Sequence, residues 1–301
     1  MIYIFALQAH VLPLLKSHIA TALLFIAIVL YGCDENGNLS GSNGSINLQF
    51  NFSKDSSYQY ILDSRMTLEP MVNGKTLSIT QQMKLLSTYK VTSANGSNKN
   101  VAVTYNRITI SSGNGITTNE YDSDDTANKN ELFASIGKMM NRTFNISVSA
   151  NGITGIQSLY DEEQITDSST ALYGDSSLRK AMLPFLNMYP NATIKAGDAW
   201  QKKFHTSNGF IHMVLENTYT LKSIDGNIAH IELQGKITPE DSTGAMVFSG
   251  VQSGGIDVDI KTGLITIGRI MQHLNGKITN NGKVSEVSAS SEISLIGNKL
   301  P

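Results

Sequence analysis

Apolar and polar residues alternate with a period of two over much of the chain, which places the apolar side chains on one face of an extended strand. Ile46, Leu48, Phe50 and Phe52 alternate with Asn47, Gln49 and Asn51, so this stretch reads as the first strand of the folded part. Met83-Lys84-Leu85-Leu86-Ser87-Thr88-Tyr89 then leads through Val91 to Asn95-Gly96. A similar run from Met213 through Thr218-Tyr219 and Leu221 to Asp225-Gly226 returns at a constant spacing of 130 residues. Val101 and Val103 meet Ile231 and Leu233 at the same spacing. Each copy reads as strand, Asn-Gly or Asp-Gly turn, strand: a hairpin whose turn residues tolerate positive φ.

A second piece is shared as well. Phe144 to Val148 with Asn151-Gly152-Ile153 matches Ile256 to Ile260 with Thr262-Gly263-Leu264, but the two glycines are 111 residues apart, so the first copy carries an insertion. That insertion predicts a helix. Asn128-Lys129-Asn130-Glu131 has the form of a capping box, and Leu132, Ile136, Met139 and Met140 follow at helical spacing. A second helical stretch begins near Ser176 and includes Leu178, Met182 and Leu183, with Pro184 ending or kinking it. Gly197-Asp198-Ala199-Trp200 opens the second copy, its single tryptophan expected as a core or rim anchor.

The pattern predicts a mainly β (α+β) protein: two tandem antiparallel β-meander units forming a curved sheet, open barrel or sandwich, with a few short helices. The expected divisions are a leader over 1–32, a tether over 33–45, a first unit over 46–160, a helical linker over 161–196 and a second unit over 197–301. Composition agrees, with 41% hydrophobic residues supplying a core. The charge balance of 23 basic against 25 acidic residues, with no basic stripe, argues against nucleic acid as a partner.

The sole cysteine, Cys33, excludes an internal disulfide and a second thiol nucleophile. Ahead of it, Ile19 to Tyr31 is apolar but shorter than the roughly 20 residues that a membrane-spanning helix needs. Leu30-Tyr31-Gly32-Cys33 resembles a bacterial lipobox, with cleavage between Gly32 and Cys33. The resemblance implies acylation of Cys33 and attachment to a cell-envelope membrane, and the Gly, Ser and Asn residues up to Ser45 have tether composition.

The lipobox, the alternation from Ile46, the Asn151-Gly152-Ile153 turn, Gly197-Asp198-Ala199-Trp200 and the Lys261-Thr262-Gly263-Leu264 turn together resemble a family of uncharacterised bacterial lipoproteins, over about Ile46 to Ile296. These are turn and core residues, so the resemblance implies a shared fold and no activity.

Candidate chemistry is sparse. Asn73-Gly74-Lys75-Thr76 imitates the end of a phosphate loop, but Glu69 stands where its first glycine is needed. Asp122, Ser123, Asp124 and Asp125 lack the EF-hand spacing, with Ala127 and Phe133 at the required glycine and glutamate. His205, His212, His230 and His273 have no neighbour at metal-ligand spacing, and the acid pairs Asp257 with Asp259 and Glu162 with Glu163 are the only hint of glycosidase chemistry. No metal or other cofactor is expected. Asp125-Thr126-Ala127 and Asp241-Ser242-Thr243 match a short bacterial O-glycosylation pattern, making Thr126 and Ser242 candidate acceptors. The expected function is a non-enzymatic, lipid-anchored binding or structural role with an envelope-protein partner. The alternatives are a carrier or sensor of a hydrophobic ligand, using the Met139 and Met140 region, and a surface glycan-binding or glycan-active protein using Tyr58, Tyr60 and Tyr121.

Overall fold

The computed structural model describes residues 44–72, 74–96, 98–125, 140–150, 152–156, 187–208, 211–241, 246–280 and 283–301. They form thirteen strands: β1 (Ser57–Val72), β2 (Lys75–Thr76), β3 (Ile79–Asn95), β4 (Asn98–Gly113), β5 (Thr118–Asp122), β6 (Thr143–Ser149), β7 (Gly152–Ile156), β8 (Ala199–Asn208), β9 (Ile211–Asp225), β10 (Ile228–Pro239), β11 (Met246–Asp259), β12 (Leu264–Asn280) and β13 (Lys283–Lys299). All belong to one antiparallel sheet in the order β7-β6-β4-β3-β1-β13-β12-β11-β10-β9-β8, with β2 on β1 and β5 on β4. A single sheet replaces the expected alternative of a sandwich. The few short helices are not borne out: all regular structure among the described residues is strand, and the stretches from Asn128 and Ser176 lie outside those residues.

The repeat is visible in the backbone. β3–β4 and β9–β10 turn at Gly96 and Gly226, with φ of 58° and 56°, the left-handed conformation that glycine adopts without a Cβ clash. Beyond the turn both hairpins carry a bulge at the equivalent residue: Thr92 is skipped between the Val91↔Val101 and Ser93↔Asn100 pairs, and Lys222 between Leu221↔Ile231 and Ser223↔His230. The second hairpins repeat the device. Thr154 and Thr266 are the skipped residues, and their hydroxyls donate to the carbonyls of Ser147 and Asp257, each at 3.2 Å. Bulges add local twist, and two hairpins twisted at matching places generate two similarly coiled halves. In the sheet, β7-β6-β4-β3-β1 and β12-β11-β10-β9-β8 run in the same sense, and β13 lies between them.

The sheet is rolled. Along its path β6 and β12 are five strand spacings apart, on the order of 24 Å if flat. Yet the adjacent residues Phe50 and Asn51 donate to Ala150 O beside β6 and Thr262 O beside β12, both at 2.9 Å. The two outermost strands are drawn together in the same way: Ile153 N of β7 donates to Asn187 Oδ1 (2.8 Å), and Trp200 Nε1 of β8 donates to Met188 O (2.7 Å). β7 and β8 do not pair, so the roll is unclosed.

Residues 46–52 therefore differ from expectation. They make one bridge, Ile46 with Ile194, and otherwise cross the end of the roll, burying Leu48, Phe50 and Phe52 on its inner face. The alternation was real, but both sets of partners come from distant turns rather than from a ladder. Phe50 packs on Tyr189 at 4.9 Å, and Tyr189 Oη donates to Gly263 O at 2.7 Å. Around this plug lies the larger apolar cluster, including Val101, Phe144, Tyr219, Leu221, Ile231 and Ile293. A smaller one, with Phe204, Leu215, Ile237, Phe248 and Leu274, fills the other end.

Candidate functional site

Between the two apolar clusters a polar tier crosses the inner face. Cross-strand pairing puts Lys202, Asn217, Gly235, Gln252, Gln272, Ser291, Met66, Gln81 and Ser112 in one continuous row over nine strands, and directly paired residues share a face. Several polar members interrupt an inward apolar series: Lys202 lies between Trp200 and Phe204, Asn217 between Leu215 and Tyr219, Gln272 between Ile270 and Leu274. Asn217, Gln252 and Gln272 are 3%, 5% and 2% exposed, so they must satisfy one another. They do so in a chain. Ser291 Oγ donates to Gln272 Oε1 (3.0 Å), Gln272 Nε2 to Gln252 Oε1 (2.9 Å), Gln252 Nε2 to Asn217 Oδ1 (2.6 Å) and Asn217 Nδ2 to Tyr219 Oη (3.0 Å). Gly235 makes room for it, since a Cβ there would collide with Asn217 Oδ1 and Gln252 Cγ. A cavity of about 10 Å³ beside the chain, lined by Met66, Leu68, Phe248, Gln272 and Leu274 among others, has room for about one water.

Lys202 ends the row on strand β8. Its side chain is partly buried, burial lowers its ammonium pKa, and it has no hydrogen-bond or ion-pair partner among the described residues.

The corresponding row of the first copy has different chemistry. Ser87 and Tyr105 stand 130 residues before Asn217 and Gly235, and Tyr60 pairs with Ser87 as Lys202 pairs with Asn217. Tyr60 and the neighbouring Tyr89 meet edge to face at 5.0 Å. Desolvation raises the phenol of Tyr89 to about 12 and pushes those of Tyr60 and Tyr105 well up from their ordinary value. These three rings are thus deeply seated, yet they and Leu85 and Leu295 keep accessible surface while packing against the core.

The residues singled out from sequence are placed otherwise. Gly32, Cys33, Thr126, Ser242, Met139, Glu162 and Glu163 lie outside the described residues. Tyr58 is 2% exposed and Tyr60 faces inward, so these two rings form no surface platform for a glycan. Asp122 takes two hydrogen bonds from Arg107 (3.1 and 2.6 Å), and Asp124 lies 3.3 Å from the same guanidinium; Arg107 and the Asp124 backbone N–H hold the Asp122 carboxyl below its usual range. Asp257 pairs with His230 (2.7 Å), while Asp259 accepts from Thr262 N and Oγ1 at its turn. His205 pairs with Glu240 at 2.8 Å. Among the described residues no three His, Cys, Asp or Glu side chains converge for a metal. Trp200 is an anchor, stacked on Tyr219 at 5.6 Å. Sequence reading missed Lys202, Asn217, Gln252, Gln272 and Ser291; the lone polar residue at the same inward step of successive strands was the available signal.

Among solved structures, lipovitellin, from a study of its lipid–protein interactions, is similar at a TM-score of 0.51 and 12% identity, covering 83% of this chain and 26% of that one. The chain therefore spans about a quarter of the lipovitellin chain, and at this identity the likeness shows a shared fold. An outer membrane channel from Pseudomonas putida F1 (TM-score 0.25, 9% identity, 88% of this chain and all of that one) and the translocator domain of the autotransporter NalP from Neisseria meningitidis (0.21, 7%, 83% and 90%) are too distant in geometry to add to this. No curated protein matches the chain. The pattern of DUF6263, a family of unknown function, matches residues 96–265, from the first repeat turn to the start of β12, and the chain belongs to that family.

Proposed function

We propose that the protein is a non-catalytic binding protein of the bacterial cell envelope that holds a hydrophobic molecule inside its rolled sheet and is fastened to a membrane through acylated Cys33. The observation that carries the binding half is the inward group Tyr60, Leu85, Tyr89, Tyr105 and Leu295: apolar or aromatic, deeply seated, and not fully covered. Such walls, with a few fixed polar groups, suit a small apolar ligand. The fold shared with lipovitellin, a protein studied for its lipid–protein interactions, supports the same reading. The anchoring half rests on Leu30-Tyr31-Gly32-Cys33 and the Gly/Ser/Asn stretch behind it, since acyl chains contribute roughly 0.8 kcal/mol per buried methylene.

Native mass spectrometry of the purified chain tests the first half. A lipid-sized adduct that is lost in Tyr105→Trp, which fills the space, is expected. Bare protein from repeated preparations, with no uptake of added methyl palmitate, would overturn it. For the anchor, Triton X-114 partitioning should send the full-length chain to the detergent phase and Cys33→Ser to the aqueous phase; identical behaviour would remove it.

A further inference from the structure

We propose that Lys202 is the site on this chain that selects an anionic headgroup, so that the ligand is an amphiphile with a carboxylate or phosphate on an alkyl chain rather than a neutral lipid. The inference rests on the binding function above and adds the ligand's polar chemistry.

Three features of the site combine. Lys202 points to the inner face, being paired with the buried Asn217, while the neighbouring Lys203 points outward and is held by Glu216 at 2.7 Å. The inward lysine therefore has no carboxylate on its own hairpin. Second, the row next to it offers amides and hydroxyls and no charge: Asn217, Gln252, Gln272, Ser291, Gln81 and Ser112. An ammonium among neutral dipoles lacks the counter-ion that a desolvated cation needs. Third, apolar walls flank it on both sides, Trp200 toward the larger cluster and Phe204 toward the smaller. A headgroup at Lys202 thus has apolar side chains one strand step away on either side. Lys202 also keeps part of its surface exposed. At the level of this row the outermost strands among the described residues are β5, whose Asn119 pairs with Ser112, and β8 itself, and the two are not hydrogen-bonded to each other. The first copy has Tyr60 at this station, with no cation, so charge selection belongs to one side of the roll.

The test compares palmitate, methyl palmitate and hexadecyl phosphate on the full-length Cys33→Ser chain by isothermal titration. Palmitate or hexadecyl phosphate should bind at least tenfold tighter than the ester, the tighter of the two naming the headgroup. Lys202→Met should lower the anions to the ester's affinity and leave the ester unchanged, while Lys202→Arg keeps the preference. Equal binding of ester and anions by the parent chain, or an undiminished preference in Lys202→Met, overturns the role of Lys202 and leaves the hydrophobic site standing. Absence of binding by all three compounds overturns both.

Discussion

The row Tyr60, Ser87, Tyr105 and the row Lys202, Asn217, Gly235 occupy the same station in two copies of one unit. Backbone features are held in common: the glycine turns, the skipped residues at 92 and 222, the threonine bulges at 154 and 266. Even the side-chain spacing persists, since Ser87 stands two residues before Tyr89 as Asn217, which donates to Tyr219 Oη, stands before that ring. What differs is volume and polarity. The first copy places two partly accessible rings beside a small serine; the second places an asparagine beside a glycine and fills the gap with a buried amide chain. Turn and bulge geometry thus sets the roll, while the inward side chains are free to specialise.

Replacing the equivalent tyrosines probes that difference most strongly. Tyr219→Ala removes a ring that is 2% exposed and stacked on Trp200, and should cost about 4 kcal/mol, whereas Tyr89→Ala, whose ring keeps part of its surface accessible, should cost about 2. Equal losses in urea titrations would mean that the first copy is packed as tightly as the second.

Next in size is the amide chain. Gln252→Leu strands Asn217 Oδ1 and Gln272 Nε2 together, and leaving buried polar groups unpaired should cost about 3 kcal/mol. Ser87→Ala at the first copy's station should cost under about 1.

Alkali tests how deeply the first copy's rings are seated. The folded Tyr89 value of about 12 lies above the usual 10, so its contribution is complete below about pH 10 and is lost as pH climbs through the folded value. At full ionisation that loss is about 2 to 3 kcal/mol. Tyrosinate absorbance should therefore appear late and together with loss of the β circular-dichroism signal; early, non-cooperative ionisation would show the rings to be solvated.

The smallest effect is expected where the copies agree. Thr154→Val and Thr266→Val each delete one bulge hydrogen bond and should each cost about 1 kcal/mol or less, by similar amounts.

How much of this was legible depended on range. The hairpin turns at Gly96 and Gly226 and the 130-residue repeat lie within local sequence, where turn chemistry and alternation act. The pairing of β1 with β13, some two hundred residues away, leaves no local mark, and neither does the order that brings β7 and β8 together at Asn187 and Met188. Ile46 to Phe52 reads as a strand because its alternation is that of one, although its partners are turn carbonyls. The amide row escaped because Gln252, Gln272 and Asn217 look like solvent-facing residues until register shows that all of them point inward.

The position of β13 has a consequence for how the molecule comes to exist. In the sheet its two copies touch through a strand made of residues 283–299, so neither half can complete its hydrogen bonding on that side until those residues have been delivered. Contacts of such sequence separation form slowly. Until then β1 and β12 would each present a bare margin facing the other, exposed to misassembly with neighbouring chains until β13 is threaded between them.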